Sequence, residues 1–258
     1  MITLKNEAQI ESMRQAGKLL YEVLQAVKAA VQPGVTTLEL NDMAEKLIRD
    51  GGAVPSFLGY EGFPASLCTS INDVVVHGIP SREDVLREGS LLSVDCGLQL
   101  HGWQADSALT VGVGRISPVH RKLLETAERC FFEGAARAVA GLRLGDIGAA
   151  VEAEAVRNGF TVVHDLSGHG IGREMHEDPY VYNFGFSGRG LQLRKGMTLA
   201  IEPMVCAKDW HVTSDEDGWF VRTCDGGWAA HYEHTVAILE GRKPELLTLP
   251  GYVWKEDS

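Results

Sequence analysis

The sequence predicts an α+β fold built from two similar halves around one shared core, and three observations carry that expectation. The order helix, glycine-marked turn, helix, glycine, strands occurs twice, and a shift of 107 residues lays Gly34 on Gly141, Leu40 on Ile147 and Gly52 on Gly159. Apolar residues in each helical segment recur at three-and-four spacing, which marks helices with one buried face. Neither half is followed by a Pro/Ser-rich linker, so one domain over 1–258 is expected, with repeats at about 5–115 and 118–240.

The first helix is expected over Asn6–Ala30, with its stripe at Ile10, Met13, Ala16, Leu19, Leu20, Val23, Leu24 and Val27, stopped by Pro33-Gly34. A second runs from Thr37 to Arg49, capped by Thr36 or Thr37 and ended by Gly51-Gly52. After Ser117-Pro118 a long helical segment extends to about Ala140. A turn at 141–146 and a shorter helix to Arg157 follow.

At 258 residues the chain can bury a large core without staples. Its net charge of −11 disfavours a nucleic-acid backbone or an anionic membrane as main partner, because the long-range field repels both. The start lacks a basic segment followed by an apolar one, and no run approaches the ~18 apolar residues of a membrane span. A cytoplasmic protein is expected. The five cysteines form no Cys-x-x-Cys pair, which argues against a zinc knuckle or disulfide framework and for small buried thiols.

Two strands are expected around Leu100-His101-Gly102-Trp103. A hairpin centred between Leu100 and His101 sets Asp95 directly opposite Asp106 on one face, at Cβ separations of ~4.5–5.5 Å. Two carboxylates that close share a proton or a cation. His169 lies in a glycine-rich loop that lacks the spacing of a dinucleotide or phosphate loop, and no His-Glu-x-x-His helix is present. Glu202 and Glu233 interrupt apolar, strand-like runs, where a carboxylate is costly unless paired with a cation. Taken singly, each is more often a satisfied polar residue than a ligand. Together the five offer four carboxylates and one imidazole without thiolates, a donor set suited to two divalent ions of manganese, iron, cobalt or zinc. Four carboxylates balance two dications, leaving a bridging water that deprotonates near neutral pH.

With these residues assembled, the chain resembles the methionine aminopeptidases of type I, in the bacterial-length form of the pita-bread metallopeptidases. The likeness runs from about Leu4 to about Ile238. Its markers are Val76-His77-Gly78-Ile79-Pro80, Val94-Asp95, Asp106-Ser107, Gly168-His169-Gly170-Ile171-Gly172, Met175-His176-Glu177, Ile201-Glu202-Pro203-Met204 and Tyr232-Glu233-His234-Thr235. The resemblance implies a pseudo-twofold curved antiparallel sheet covered by helices, with the metals in its central cleft. It implies Asp95, Asp106, His169, Glu202 and Glu233 as ligands, Asp106 and Glu233 bridging both ions. It makes Glu202 the proton acceptor and His77 and His176 the histidines that contact substrate. A methionine pocket is implied at Phe57, Tyr60, Phe63, Cys68, Met175 and Trp219, a wall suited to a thioether. Phe57, Phe63, Met175 and Gly97 depart from the commoner Cys, Tyr, Phe and Thr of bacterial relatives.

The implied activity is removal of the initiator methionine from nascent chains, preferably before a small second residue, by a monomer that meets the ribosome through the body of its fold. A proline-directed or dipeptide-cleaving relative, and a non-catalytic binding protein on the same fold, are the alternatives. His231 and His234 are expected to point to opposite faces of a strand and not to ligate jointly. His101, His120, His164 and His211 are expected at the surface or at helix starts.

Overall fold

The computed structural model describes residues 2–215 and 218–255. Among the described residues, four α-helices, α1 (Glu7–Ala30), α2 (Thr37–Asp50), α3 (Pro118–Ala135) and α4 (Leu144–Arg157), accompany fifteen strands. The strands are β1 (Val54–Pro55), β2 (Cys68–Ile71), β3 (Val74–Val76), β4 (Leu91–Leu100), β5 (Trp103–Gly112), β6 (Thr161–Val162), β7 (Ser167–Gly170), β8 (Glu177–Tyr182), β9 (Thr198–Ile201) and β10 (Met204–Cys206). They continue with β11 (Val212–Ser214), β12 (Val221–Thr223), β13 (Ala229–His231), β14 (Glu233–Ala237) and β15 (Glu245–Leu246).

Local chemistry sets the helix starts. Asn6 precedes α1 and forms a reciprocal capping box: its Oδ1 accepts from the Gln9 amide at 3.0 Å while Gln9 Oε1 accepts from the Asn6 amide at 2.9 Å. Thr36 and Glu39 do the same for α2. Helix α3 stops at Ala135, short of the expected Ala140. Its last turn tightens into three-residue bonds, Arg137 N–H to Gly134 O and Ala138 N–H to Ala135 O, both 2.9 Å, which turns the fully buried Ala138 into the core. Gly34 and Gly141 share left-handed φ values of 95° and 98°, and Gly52 and Gly159 share 77° and 81°.

The main sheet is nine-stranded, with antiparallel pairs in the order β1-β4-β5-β14-β9-β7-β8, β2 beside β4 and β15 beside β14. Helices α1 and α2 bury Leu20, Leu24, Leu40 and Ile48 with Leu92, Val94 and Leu98 of β4. Helices α3 and α4 bury Phe131, Ile147 and Val151 with Leu199, Ile201 and Val236 of β9 and β14. Each helix pair thus covers its own part of one sheet, the layering of the pita-bread fold.

The β4–β5 register corrects the sequence expectation by two residues. Leu100 pairs with Trp103, so Asp95 faces Ala108 and Gly97 faces Asp106. His101 and Gly102 take φ of 52° and 77°, the two positive values that a tight hairpin turn requires, and they claim the turn for themselves. A two-residue shift preserves strand parity, so both aspartates remain on one face, as diagonal neighbours.

The stretch around His169 is a strand, β7, where a loop was expected. A Cβ at Gly168 would lie 2.3 Å from Ala200 O, and one at Gly170 2.1 Å from Asp178 O. These glycines let neighbouring backbones close on both sides of the histidine. Four cysteines are buried as expected; Cys224, in the turn after β12, is exposed and corrects that reading. Among the described residues no helix is long and apolar enough to cross a membrane.

Candidate metal centre

The five sequence-selected donors come from five consecutive strands of the main sheet. Asp95 lies on β4, Asp106 on β5, Glu233 at the start of β14, Glu202 just past the end of β9, and His169 on β7. Asp95 and Glu233 both pair with Ala108 from opposite sides, so a fully buried methyl side chain sits between two carboxylate-bearing positions. That small residue leaves room above the sheet for the donors to converge.

Asp106, His169 and Glu233 form the tight group, each with a ligand atom within 4.8 Å of the others and each at most 5% exposed. His169 Nε2 lies 3.8 Å from Asp106 Oδ2 and 3.7 Å from Glu202 Oε1. Its Nδ1 lies 2.8 Å from Gly170 O, so Nδ1–H donates to that carbonyl and the Nε2 lone pair faces the carboxylates, the tautomer a metal ligand needs. The supporting backbone is stitched across strands. Thr235 Oγ1 accepts from the Asp106 amide at 3.1 Å and donates to Asp106 O at 2.9 Å, while Ser107 Oγ donates to Glu233 O at 2.7 Å.

Burial dominates the electrostatics. It pushes Asp106 up to about 7, and Asp95, Glu202 and Glu233 well above the usual carboxylate range, with the mutual repulsion of the carboxylates adding to the last three. It also lowers His169 to about 3 and His77 to about 4, each further depressed by His176. Among the described residues, Asp95 Oδ1, Asp106 Oδ1 and Glu233 Oε1 are buried without a hydrogen-bond partner. Orphaned carboxylate oxygens around a neutral imidazole lone pair fit a divalent cation, which satisfies the oxygens and replaces the protons that repulsion otherwise forces on them.

A cavity of about 140 Å³ opens on this group. Phe57, Tyr60, Phe63, Cys68 and Trp219 form its largely apolar side, and His77 and His176 line it too, edge-on to Trp219 and Tyr60 respectively. Met175, expected in the same wall, is buried behind it with its Cε over Gly97. His77 has φ of 61°, a left-handed backbone unusual outside glycine. His176 packs edge-on against His169 with ring centroids 4.3 Å apart.

Two residues to which the sequence reading gave no role at the site lie at it. Glu61 also lines the cavity, from a short turn whose sequence carries no distinguishing signal. His231 is 1% exposed, with Nε2 at 3.8 Å from Glu202 Oε2 and 4.0 Å from Glu233 Oε2. The only signal was its place two before Glu233 in a run that reads as one strand, where alternate residues share a face; the strand breaks at Tyr232, between β13 and β14, and His231 still ends on the carboxylate side. His234 points away, to Ser107 and Thr248, so the pair does face in opposite directions.

An antiparallel sheet whose neighbouring strands converge buried carboxylates and an imidazole on one small cavity defines a metal-dependent hydrolase. The chain belongs to metallopeptidase family M24, whose profile matches residues 11–240. It is 51% identical to a methionine aminopeptidase of Clostridium acetobutylicum over 96% of this chain and 99% of that one. It is 45% identical to methionine aminopeptidase 1 of Mycobacterium tuberculosis over 96% of each. The crystal structure of methionine aminopeptidase from Thermotoga maritima superposes with a TM-score of 0.94 at 40% identity, covering 96% of this chain and 99% of that one. Prolidase from Pyrococcus furiosus, 20% identical with a TM-score of 0.78, shares the fold; the chain covers 66% of its length.

Proposed function

We propose that this chain is a metal-dependent aminopeptidase that removes the initiator methionine from nascent proteins, preferably when the second residue is small. The observation that carries the reading is a single small cavity with an apolar, sulfur- and aromatic-lined side and a buried carboxylate–imidazole group at the other, room for one apolar side chain beside the scissile bond. Full-length likeness to relatives named methionine aminopeptidase supports it.

Asp95, Asp106, His169, Glu202 and Glu233 hold two divalent ions of cobalt, manganese, iron or zinc in this reading. When bound, such ions lower the pKa of water and polarise the carbonyl under attack. Glu202 accepts the proton of the attacking water, its carboxylate being ionised once divalent ions hold the site. His176 donates a hydrogen bond to the first peptide carbonyl as charge develops on its oxygen, and His77 lies beside the amino end or the leaving peptide. Phe57, Tyr60, Phe63, Cys68 and Trp219 exclude water from the methionine side chain, with Met175 supporting them from behind. Repeats at about 5–115 and 118–240 make one catalytic domain, with two ligands from the first and three from the second. The protein acts as a monomer in the cytoplasm on chains emerging from the ribosome.

Purified protein incubated with Met-Gly and Met-Ala peptides across a series of divalent metals tests the reading. Release of methionine with at least one metal, and slow turnover of Ala-Pro peptides, is the expected result. Failure to cleave with every metal refutes it.

A further inference from the structure

We propose that Gly97, which does not line the cavity, sets the depth of the substrate pocket by seating Phe57. The proposal rests on the aminopeptidase reading above. Gly97 lies on β4 opposite Asp106, and its missing side chain is the space in which two others rest. A Cβ placed there would lie 2.7 Å from Met175 Cε, 2.8 Å from Phe57 Cε1 and 3.2 Å from Ser56 Cβ.

The three neighbours differ in how far they can yield. Ser56 is pinned, its amide donating to Gly97 O at 2.9 Å and its Oγ to Gln104 Oε1 at 2.6 Å. Met175 is flexible but 3% exposed, so its methyl must find volume in a filled interior. Phe57 is half-buried and borders the cavity, so the cavity is space into which its ring can move. Any side chain at position 97 therefore drives the Phe57 ring into the pocket, toward Cys68 and Trp219. The present depth depends on glycine at 97 together with phenylalanine at 57.

One methylene of misfit in an apolar pocket changes kcat/KM by about 10- to 200-fold. Steady-state cleavage by metal-loaded wild type and Gly97→Ala of tripeptides X-Ala-Ser, with X methionine or the shorter norvaline, tests the proposal. The expected result is a loss of tenfold or more for methionine, carried by KM, and a smaller loss for norvaline. Adding Phe57→Leu to Gly97→Ala should restore most of the methionine activity. Equal losses for both substrates carried by kcat, or losses from the two substitutions that simply add, overturn the proposal. Should Gly97→Ala fail to fold, Phe57→Leu alone must raise the ratio of ethionine to methionine cleavage about tenfold, and an unchanged ratio overturns it. Wild-type cleavage of Met-Ala-Ser checks the underlying activity separately, since its absence would condemn the aminopeptidase reading whatever the variants do.

Discussion

The Tyr60 hydroxyl lies 2.7 Å from Nδ1 of His176, with the two rings edge to face at 5.2 Å between centroids. Desolvation, aided by the charges of Glu61 and Glu174, raises the phenol and keeps its proton on oxygen, while burial lowers His176 and keeps the imidazole neutral. The phenol therefore donates to Nδ1, and the ring proton resides on Nε2, where it can donate to a substrate oxygen.

Tyr60→Phe keeps the ring against the pocket and removes only this bond. A net hydrogen bond of about 0.5–1.5 kcal/mol corresponds to a fall of roughly two- to thirteenfold, expected in kcat with KM nearly unchanged. Nitrogen NMR of His176 should report a mixture of tautomers in the variant in place of one. An unaltered kcat with an unaltered tautomer would show that the Tyr60 contact is incidental.

In the metal-free protein Asp106 should contribute a loss of stability as pH rises from about 4 to about 7, read as the difference between wild type and Asp106→Asn, because His77, His169 and His231, lowered from 6.5 to about 4, 3 and 3, contribute in the opposite sense below 6.5. Asp106, raised by burial from 3.8 to about 7, holds a proton in the folded state that the unfolded chain has already released in that interval. The folded state binds more protons there, so its advantage is full below the unfolded value and is lost as pH climbs through the folded one. Saturating divalent metal should reverse the slope, since protons and metal compete for the same oxygens. Thermal unfolding of stripped wild type and Asp106→Asn, and of loaded wild type, across this range measures both slopes, with differences of several degrees expected.

Within the candidate site, Glu202 and Glu233 stand out in the sequence because a carboxylate inside an apolar strand is expensive; grouping them with Asp95, Asp106 and His169 rested on donor chemistry and on the resemblance. Helix starts were legible for a similarly local reason, since Asn6, Thr36 and Ser117 satisfy amides within three residues of themselves. The hairpin register was not, because it turned on the backbone conformation of His101 and Gly102. The packing of Met175 behind Phe57 lay beyond reach as well. It joins residues on three separate segments through the space above Gly97, and no single segment carries its pattern.

Asp106→Asn separates function from stability. The substitution keeps the shape of a buried residue whose Oδ1 lacks a hydrogen-bond partner among the described residues, and it removes one of four mutually repelling carboxylates. Metal content and activity should fall by more than the 10- to 100-fold typical of altering an outer partner of a ligand. Above pH 7 the stripped variant should nonetheless unfold at a higher temperature than stripped wild type. Metal analysis and calorimetry on the same preparations decide the matter, and a stripped variant less stable than wild type contradicts the repulsion argument.

His231 offers the last test, because its ring is fully buried with Nε2 lacking a hydrogen-bond partner among the described residues, between Glu202 at 3.8 Å and Glu233 at 4.0 Å. Burial lowers it to about 3, so at neutral pH it is an uncharged imidazole that approaches both carboxylates without neutralising either. One bridging water, or a small closure of the 3.8 Å gap, would let Nε2–H donate to Glu202 Oε2 and restrain that carboxylate, and this is the bond the variants test. Hydrogen bonds to charged groups contribute about 1.5–3 kcal/mol, so His231→Leu should lower kcat by roughly ten- to a hundredfold. His231→Gln, which restores a donor of similar reach, should recover most of that loss at unchanged metal content. Equal activity in the leucine and glutamine variants would leave His231 as packing alone.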